Sequence, residues 1–349
     1  MLEKDNPISE FRFIGTGTQY FGIWIVNLLL SILTLGIYSA WAKVRRQQFF
    51  YQHTLLNEHR FDYTGDPIRI LIGRIVAVAI LAFQSVTQSF SVELASAIGI
   101  IIFLIFPWLI KQTYVFTARN SRYRNIRFHF TGNLLGAYIV YILWPLLAVI
   151  TLGLLTPFAH YAHKQYFFEC MRYGKHKVKL SLKAGQIYGV YFKSGLLFIG
   201  LFMAAALLLY MLNMGKSFNV LINKQAAKDM VGFAFVVPLL LFIPLVTYSF
   251  FNAQITNLVW SNISIANNQF RSTITTTGLL WISVSNWLLL VLTAGLFHPW
   301  AKVRMTKYRL ENMSVAWVGN PDELMGASQQ DSSAMGEEVA DFLGFDLSL

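Results

Sequence analysis

Two segments place aromatic and basic side chains at one spacing: Trp41, Lys43, Arg45 and Arg46, then Trp300, Lys302 and Arg304. Arg and Lys hold phosphate oxygens by charge-assisted hydrogen bonds, and Trp seats at the headgroup level of a bilayer. The chemistry these residues support is recognition of anionic phospholipid headgroups. The plain alternative is interfacial anchoring with no specific ligand. Asn27 and Asn286 lie the same 259 residues apart, inside apolar runs. They are a candidate polar path, or else a source of hydrogen bonds between helices. His160 and His163 are spaced for one helix face, but no Asp, Glu or Cys completes a metal site locally. They read as structural, Glu93 as a loop acid and Cys170 as a passive thiol. There is no HExxH, no nucleotide-binding glycine loop and no Gly-x-Ser-x-Gly. The expectation is a protein that is not an enzyme, with no cofactor, no metal and no nucleic-acid partner.

The elements that hold these residues are set by composition. Of 349 residues, 55 % are hydrophobic and 13 % charged, with a net charge of +11. Soluble domains carry about 25 % charged residues. Mean hydropathy is +0.50. These values exclude a disordered chain, a nucleic-acid module and an ordinary soluble enzyme, and they point to a bilayer as solvent. Residues 1–310 hold all 28 bases and nine acids, whereas eight acids follow Arg309. Seven apolar cores emerge: Phe21–Tyr38, Ile75–Phe90, Ala95–Ile110, Leu134–Leu155, Leu196–Leu212, Val231–Phe251 and Leu279–Phe297. Backbone groups in lipid must be paired internally, so these are helices. Met1–Phe13 has no apolar core, so no cleaved signal peptide is expected. A lone cysteine excludes an intramolecular disulfide.

The chain also resembles itself. Phe11–Gly15 and Thr34–Arg45 recur as Phe128–Gly132 and Thr151–His160, then as Phe270–Thr273 and Thr293–Arg304, with offsets of 117 and 142. Thr113–Phe116 and Thr247–Phe250 match as helix ends. The expected fold is a mainly α polytopic membrane protein with three internal repeats. Each repeat is a hydrophobic helix, a Thr-x-Gly bend and a basic amphipathic helix, with short extramembrane β-strands. The divisions are 1–127, 128–269, a partial repeat 270–317, and an acidic, disordered tail 318–349. The strands, such as Arg60–Tyr63 and Lys177–Leu182, are expected to pair in a small extramembrane sheet.

The stretch Gly22-Ile23-Trp24, Thr34–Arg46 and Phe61-Asp62-Tyr63 resembles the YjgN family of bacterial inner-membrane proteins, over about residues 1–320. The second copy departs from the pattern, with Phe158, His160 and His163 in place of Trp41, Lys43 and Arg46. The resemblance implies a multi-pass inner-membrane protein and brings no activity with it. Two topologies compete. Seven spans would place 18 bases on one face and 10 on the other, with the middle repeat inverted. Re-entrant repeat-leading helices would place 25 bases on one face and three, Lys216, Lys224 and Lys228, on the other. The positive-inside rule favours the second, with the basic loops cytoplasmic. The functional readings are a repeat-built transporter or lipid-handling protein, or a non-enzymatic scaffold that binds a protein partner.

Overall fold

The computed structural model describes residues 7–211 and 230–318. One succession of long strand, helix, helix and short strand runs through it five times. β1 (Ile8–Phe13), α1 (Gly17–Leu33), α2 (Ser39–Gln52) and β2 (Thr54–Leu56) come first. β3 (His59–Tyr63), α3 (Pro67–Gln88), α4 (Val92–Arg119) and β4 (Ser121–Tyr123) follow. Next are β5 (Ile126–Phe130), α5 (Leu134–Ile150, with a π turn over Ile139–Leu143), α6 (Thr156–Glu169) and β6 (Met171–Tyr173). β7 (His176–Leu180), α7 (Ala184–Met211), α8 (Met230–Trp260) and β8 (Ile263–Ile265) make the fourth passage. β9 (Asn268–Ser272), α9 (Thr276–Leu292), α10 (His298–Glu311) and β10 (Met313–Ala316) make the last.

The strands form more than a small sheet. All ten close into one antiparallel barrel in chain order, β10 pairing with β1. Each long strand pairs one neighbour through its first residues and the other through its last. In β3, Arg60 faces Leu55 of β2, whereas Phe61 and Tyr63 face Tyr123 and Ser121 of β4. This stagger is the shear that closing a sheet requires. Two-residue turns join the strands. Asn57-Glu58, Arg124-Asn125 and Ala266-Asn267 are left-handed at both positions, with φ between 48° and 69°. That is the turn whose twist matches paired strands. The fourth turn opens with Gly174 at φ 54°. Alternation sends two rings of side chains inward: Phe11, Phe61, Phe128, Val178 and Phe270, then Leu56, Tyr123, Tyr173, Ile265 and Val315. They surround a cavity of about 240 Å³.

Three residues separate these strands from their helices, and the last of the three, Thr16, Asp66, Asn133 or Thr275, caps a free N–H group of the first turn. Neighbouring helices pack in chain order around the ring, and α10 closes it against α1. Trp300 of α10 lies against Gly17, where any side chain would collide with its ring, and stacks on Phe21 at 4.9 Å. Each of the seven expected apolar segments contains a helix, and several run on into flanking polar residues such as Arg74, Arg119 and Lys193, but Phe21–Tyr38, Leu134–Leu155 and Leu279–Phe297 overrun: their helices end at Leu33, Ile150 and Leu292. α3, α4 and residues Ala184–Leu208 of α7 are long and apolar enough to cross a membrane, and only 6–17 % of their apolar windows is buried. α1, α5 and α9 are shorter, with 17 residues in α1. At 1.5 Å per residue that is about 25 Å, short of the ~30 Å hydrocarbon core.

The Thr-x-Gly step reverses the chain rather than bending a continuing helix. Leu35-Gly36, Leu152-Gly153 and Ala294-Gly295 are all left-handed, and each glycine N–H bonds the carbonyl five residues back at 2.7 Å. The threonine joins the two helices. Thr293 Oγ1 donates to Leu289 O at 2.6 Å and accepts from Phe297 N–H at 3.0 Å. Thr34 and Thr151 do the same. Thr113–Phe116 and Thr247–Phe250 are not equivalent ends: β4 begins at Ser121 and β8 at Ile263, so Thr113 corresponds to Ile255. Lys216, Lys224, Lys228 and the acidic tail from residue 319 lie outside the described residues.

Thr293→Val keeps the shape and removes both hydroxyl bonds. It should cost about 1–3 kcal/mol, read as a lower unfolding midpoint in detergent, and Thr293→Ser should restore most of the loss.

Candidate functional site

The second helix of every pair, α2, α4, α6, α8 and α10, returns to the barrel. Their last turns enclose an apolar cavity of about 660 Å³ lined by Phe50, Tyr51, Tyr114, Phe167, Trp260 and Leu310. Phe11, Phe61 and Phe128 line this space and the barrel cavity alike, so they form the partition between the two.

Cations stand farther along the same helices. On α2, Arg46 and Lys43 follow Phe50 at helical spacing, four and seven residues back. Lys43 lies within reach of the charges of Arg74 and Arg46. Arg46 and Lys302 in turn both act on His298. Through Arg46, then, Lys43, Arg74 and the His298–Lys302 turn of α10 belong to one cationic region. Arg74, on α3, also donates to the Ser39 hydroxyl at the start of α2. None of Lys43, Arg46, Arg74 and Lys302 forms an ion pair with an acid among the described residues. Counting back from the barrel along α2 and along α3, the cluster lies roughly 10–14 Å into the helices. Like charges with no acid beside them raise the local concentration of anions.

On α6, His163 Nε2 lies 3.2 Å from the Tyr114 hydroxyl, which is 2.6 Å from the Tyr141 hydroxyl. His160 Nδ1 lies 3.2 Å from the Tyr191 hydroxyl. His160 and Lys164 are both half-buried on α6.

The two groups of residues singled out in the sequence meet in the last helix pair. Arg304 donates to Asn286 Oδ1 at 2.8 Å and to Ser285 Oγ at 3.0 Å, and Asn286 Nδ2 donates to Ala301 O at 3.2 Å. In the first pair, Asn27 is buried and its Oδ1 has no hydrogen-bond partner among the described residues. Arg45 lies over the Tyr38 ring at 5.8 Å, and Trp41 stacks on that ring at 6.0 Å. Lys43, Arg46 and Lys302 therefore join the cluster, whereas Trp41, Arg45, Trp300 and Arg304 make contacts within and between helices. Cys170 caps α6 next to β6, and burial followed by the charge of Glu169 pushes its thiol up. Sequence reasoning missed Arg74. Its signal was a single arginine at the edge of a charge-free run, easily read as a flank.

A family profile described as "Bacterial protein of unknown function (DUF898)" matches residues 8–342. The inner membrane protein YjgN of Salmonella typhimurium is 23 % identical over 359 residues, covering 89 % of this chain and 89 % of that protein. The inner membrane protein YjgN of Escherichia coli O157:H7 is 30 % identical over 154 residues, 43 % of this chain and 38 % of its own. That of strain K12 is 28 % identical over 152 residues, with the same shares. No solved structure matches.

Proposed function

This chain belongs to the DUF898 family of bacterial proteins, and on that footing we propose that it is an integral inner-membrane protein that handles anionic lipids. Its relatives named inner membrane proteins support the location. In this reading the barrel stands at the cytoplasmic surface. The pairs α3/α4 and α7/α8 cross the bilayer, giving four complete spans. The pairs α1/α2, α5/α6 and α9/α10 dip into it, and their apolar turns lie in lipid: Leu35 is 94 % and Leu152 95 % exposed. Each passage of strand, helix pair and strand is then one copy of an ancestral unit, five in all.

The observation that carries the reading is the unpaired cationic cluster beside an apolar cavity. Its depth of roughly 10–14 Å from the barrel puts it a few Å inside the headgroup–hydrocarbon boundary, given an interfacial layer of about 5–8 Å, which is within reach of headgroup phosphates for long basic side chains. A lipid phosphate there meets Lys43, Arg46, Arg74 and Lys302, while its chains run on along the helix pairs towards the exposed apolar turns at Leu35 and Leu152. Charged groups at membrane depth persist where they serve a path or a ligand. The role needs no catalytic group and no cofactor.

The test is binding of phosphatidylglycerol against phosphatidylcholine by the detergent-purified protein. Lys43→Gln with Arg46→Gln and Lys302→Gln should reduce the preference for the anionic lipid at least tenfold. Arg127→Gln with Lys177→Gln, on the barrel wall, should leave it unchanged. Equal loss in both variants would reduce the preference to general electrostatics.

A further inference from the structure

A second cationic surface lies outside the barrel and uses none of the cluster residues. Tyr123, Phe128, Tyr173 and Val178 point into the barrel cavity, so alternation turns Arg122, Arg127, Arg172, Lys177 and Lys179 outward across β4–β7. The register sets Arg122 directly opposite Arg127, and Arg172 directly opposite Lys177. Like charges in such pairs destabilise a sheet. β4–β7 contain no acid. Asp62 of β3 is in register with Arg122 but accepts from Gln52 Nε2 at 3.2 Å. The five cations form no ion pair among the described residues.

We propose that this sector of the barrel wall docks the acidic segment 319–349 of the same chain. That segment has seven acids, Asp322, Glu323, Asp331, Glu337, Glu338, Asp341 and Asp346, and no Lys, Arg or His. It follows β10, whose strand lies half a ring from β5. At about 4.8 Å per strand that path is roughly 24 Å. A chain of this length, if flexible, has a root-mean-square reach of about 30 Å. Depth favours the segment over the membrane as the occupant. Arg122, Arg127, Arg172 and Lys177 stand at the turn end of the barrel. Arg127 is three residues beyond the helix end of β5, or about 10 Å, and screening limits headgroup attraction to ~8 Å.

The experiment uses the full chain with Cys170→Ser, and spin labels at Ser181→Cys on the barrel and Ser332→Cys in the segment. Pulsed electron resonance in phosphatidylcholine vesicles at low salt should give one narrow distance population. It should disperse in 0.5 M salt and in Arg127→Gln with Lys177→Gln, while circular dichroism stays unchanged. A broad distribution at low salt overturns the proposal, as does a narrow one that ignores both salt and substitution. Dispersal in phosphatidylglycerol vesicles at low salt assigns the sector to headgroups and overturns it as well.

Discussion

Backbone pairing around the ten-strand ring is the constraint on which the rest of the structure depends. A strand of three residues has little stability of its own, and a small open sheet leaves exposed edges. Closure removes both problems here. β10 pairs with β1, and Trp317 N–H donates to Pro7 O at 3.1 Å just beyond the paired residues. Every helix pair leaves one strand and returns to the next. Both ends of every pair are therefore held at one place, and the middle of the chain cannot be inverted relative to its ends.

That constraint sorts the helices. The second helix of each pair packs against the first of the next, and the last turns of the second helices line the apolar cavity. Thr34, Thr151 and Thr293 let short pairs reverse with their hydrogen bonds satisfied, which an apolar setting demands. The basic segments after them then return towards the barrel, and the first and last pairs stand side by side because α10 packs on α1. Arg46 of α2 and Lys302 of α10 both act on His298 although 256 residues separate them in the chain.

Much of this was legible in the sequence. Apolar runs located the helices, but the Thr-x-Gly step read as a bend, because the apolar run continues through the turn that ends the helix. The alternation of Phe11, Arg12 and Phe13 announced a strand with one buried face. The short strands were harder: Thr54–Leu56 and Ser121–Tyr123 offer three residues each, too few for periodicity, and their clue was the two-residue turn that follows. Closure of the ring was invisible because it depends on pairing between the first and last strands. The cluster was half legible. Lys43, Arg46 and Lys302 stood out by their spacing, while Arg74 gains meaning only from its place beside α2.

The most direct test of the central claim is the sidedness of the ring. In a Cys170→Ser background, single cysteines at Arg60 on β3, Lys177 on β7 and Phe90 between α3 and α4 would be exposed to a membrane-impermeant maleimide in spheroplasts. One ring at the cytoplasmic surface means that Phe90→Cys reacts at once, whereas Arg60→Cys and Lys177→Cys react only after permeabilisation. Reaction of Arg60→Cys and Lys177→Cys from opposite sides would contradict a shared ring, and with it the placement of every helix pair.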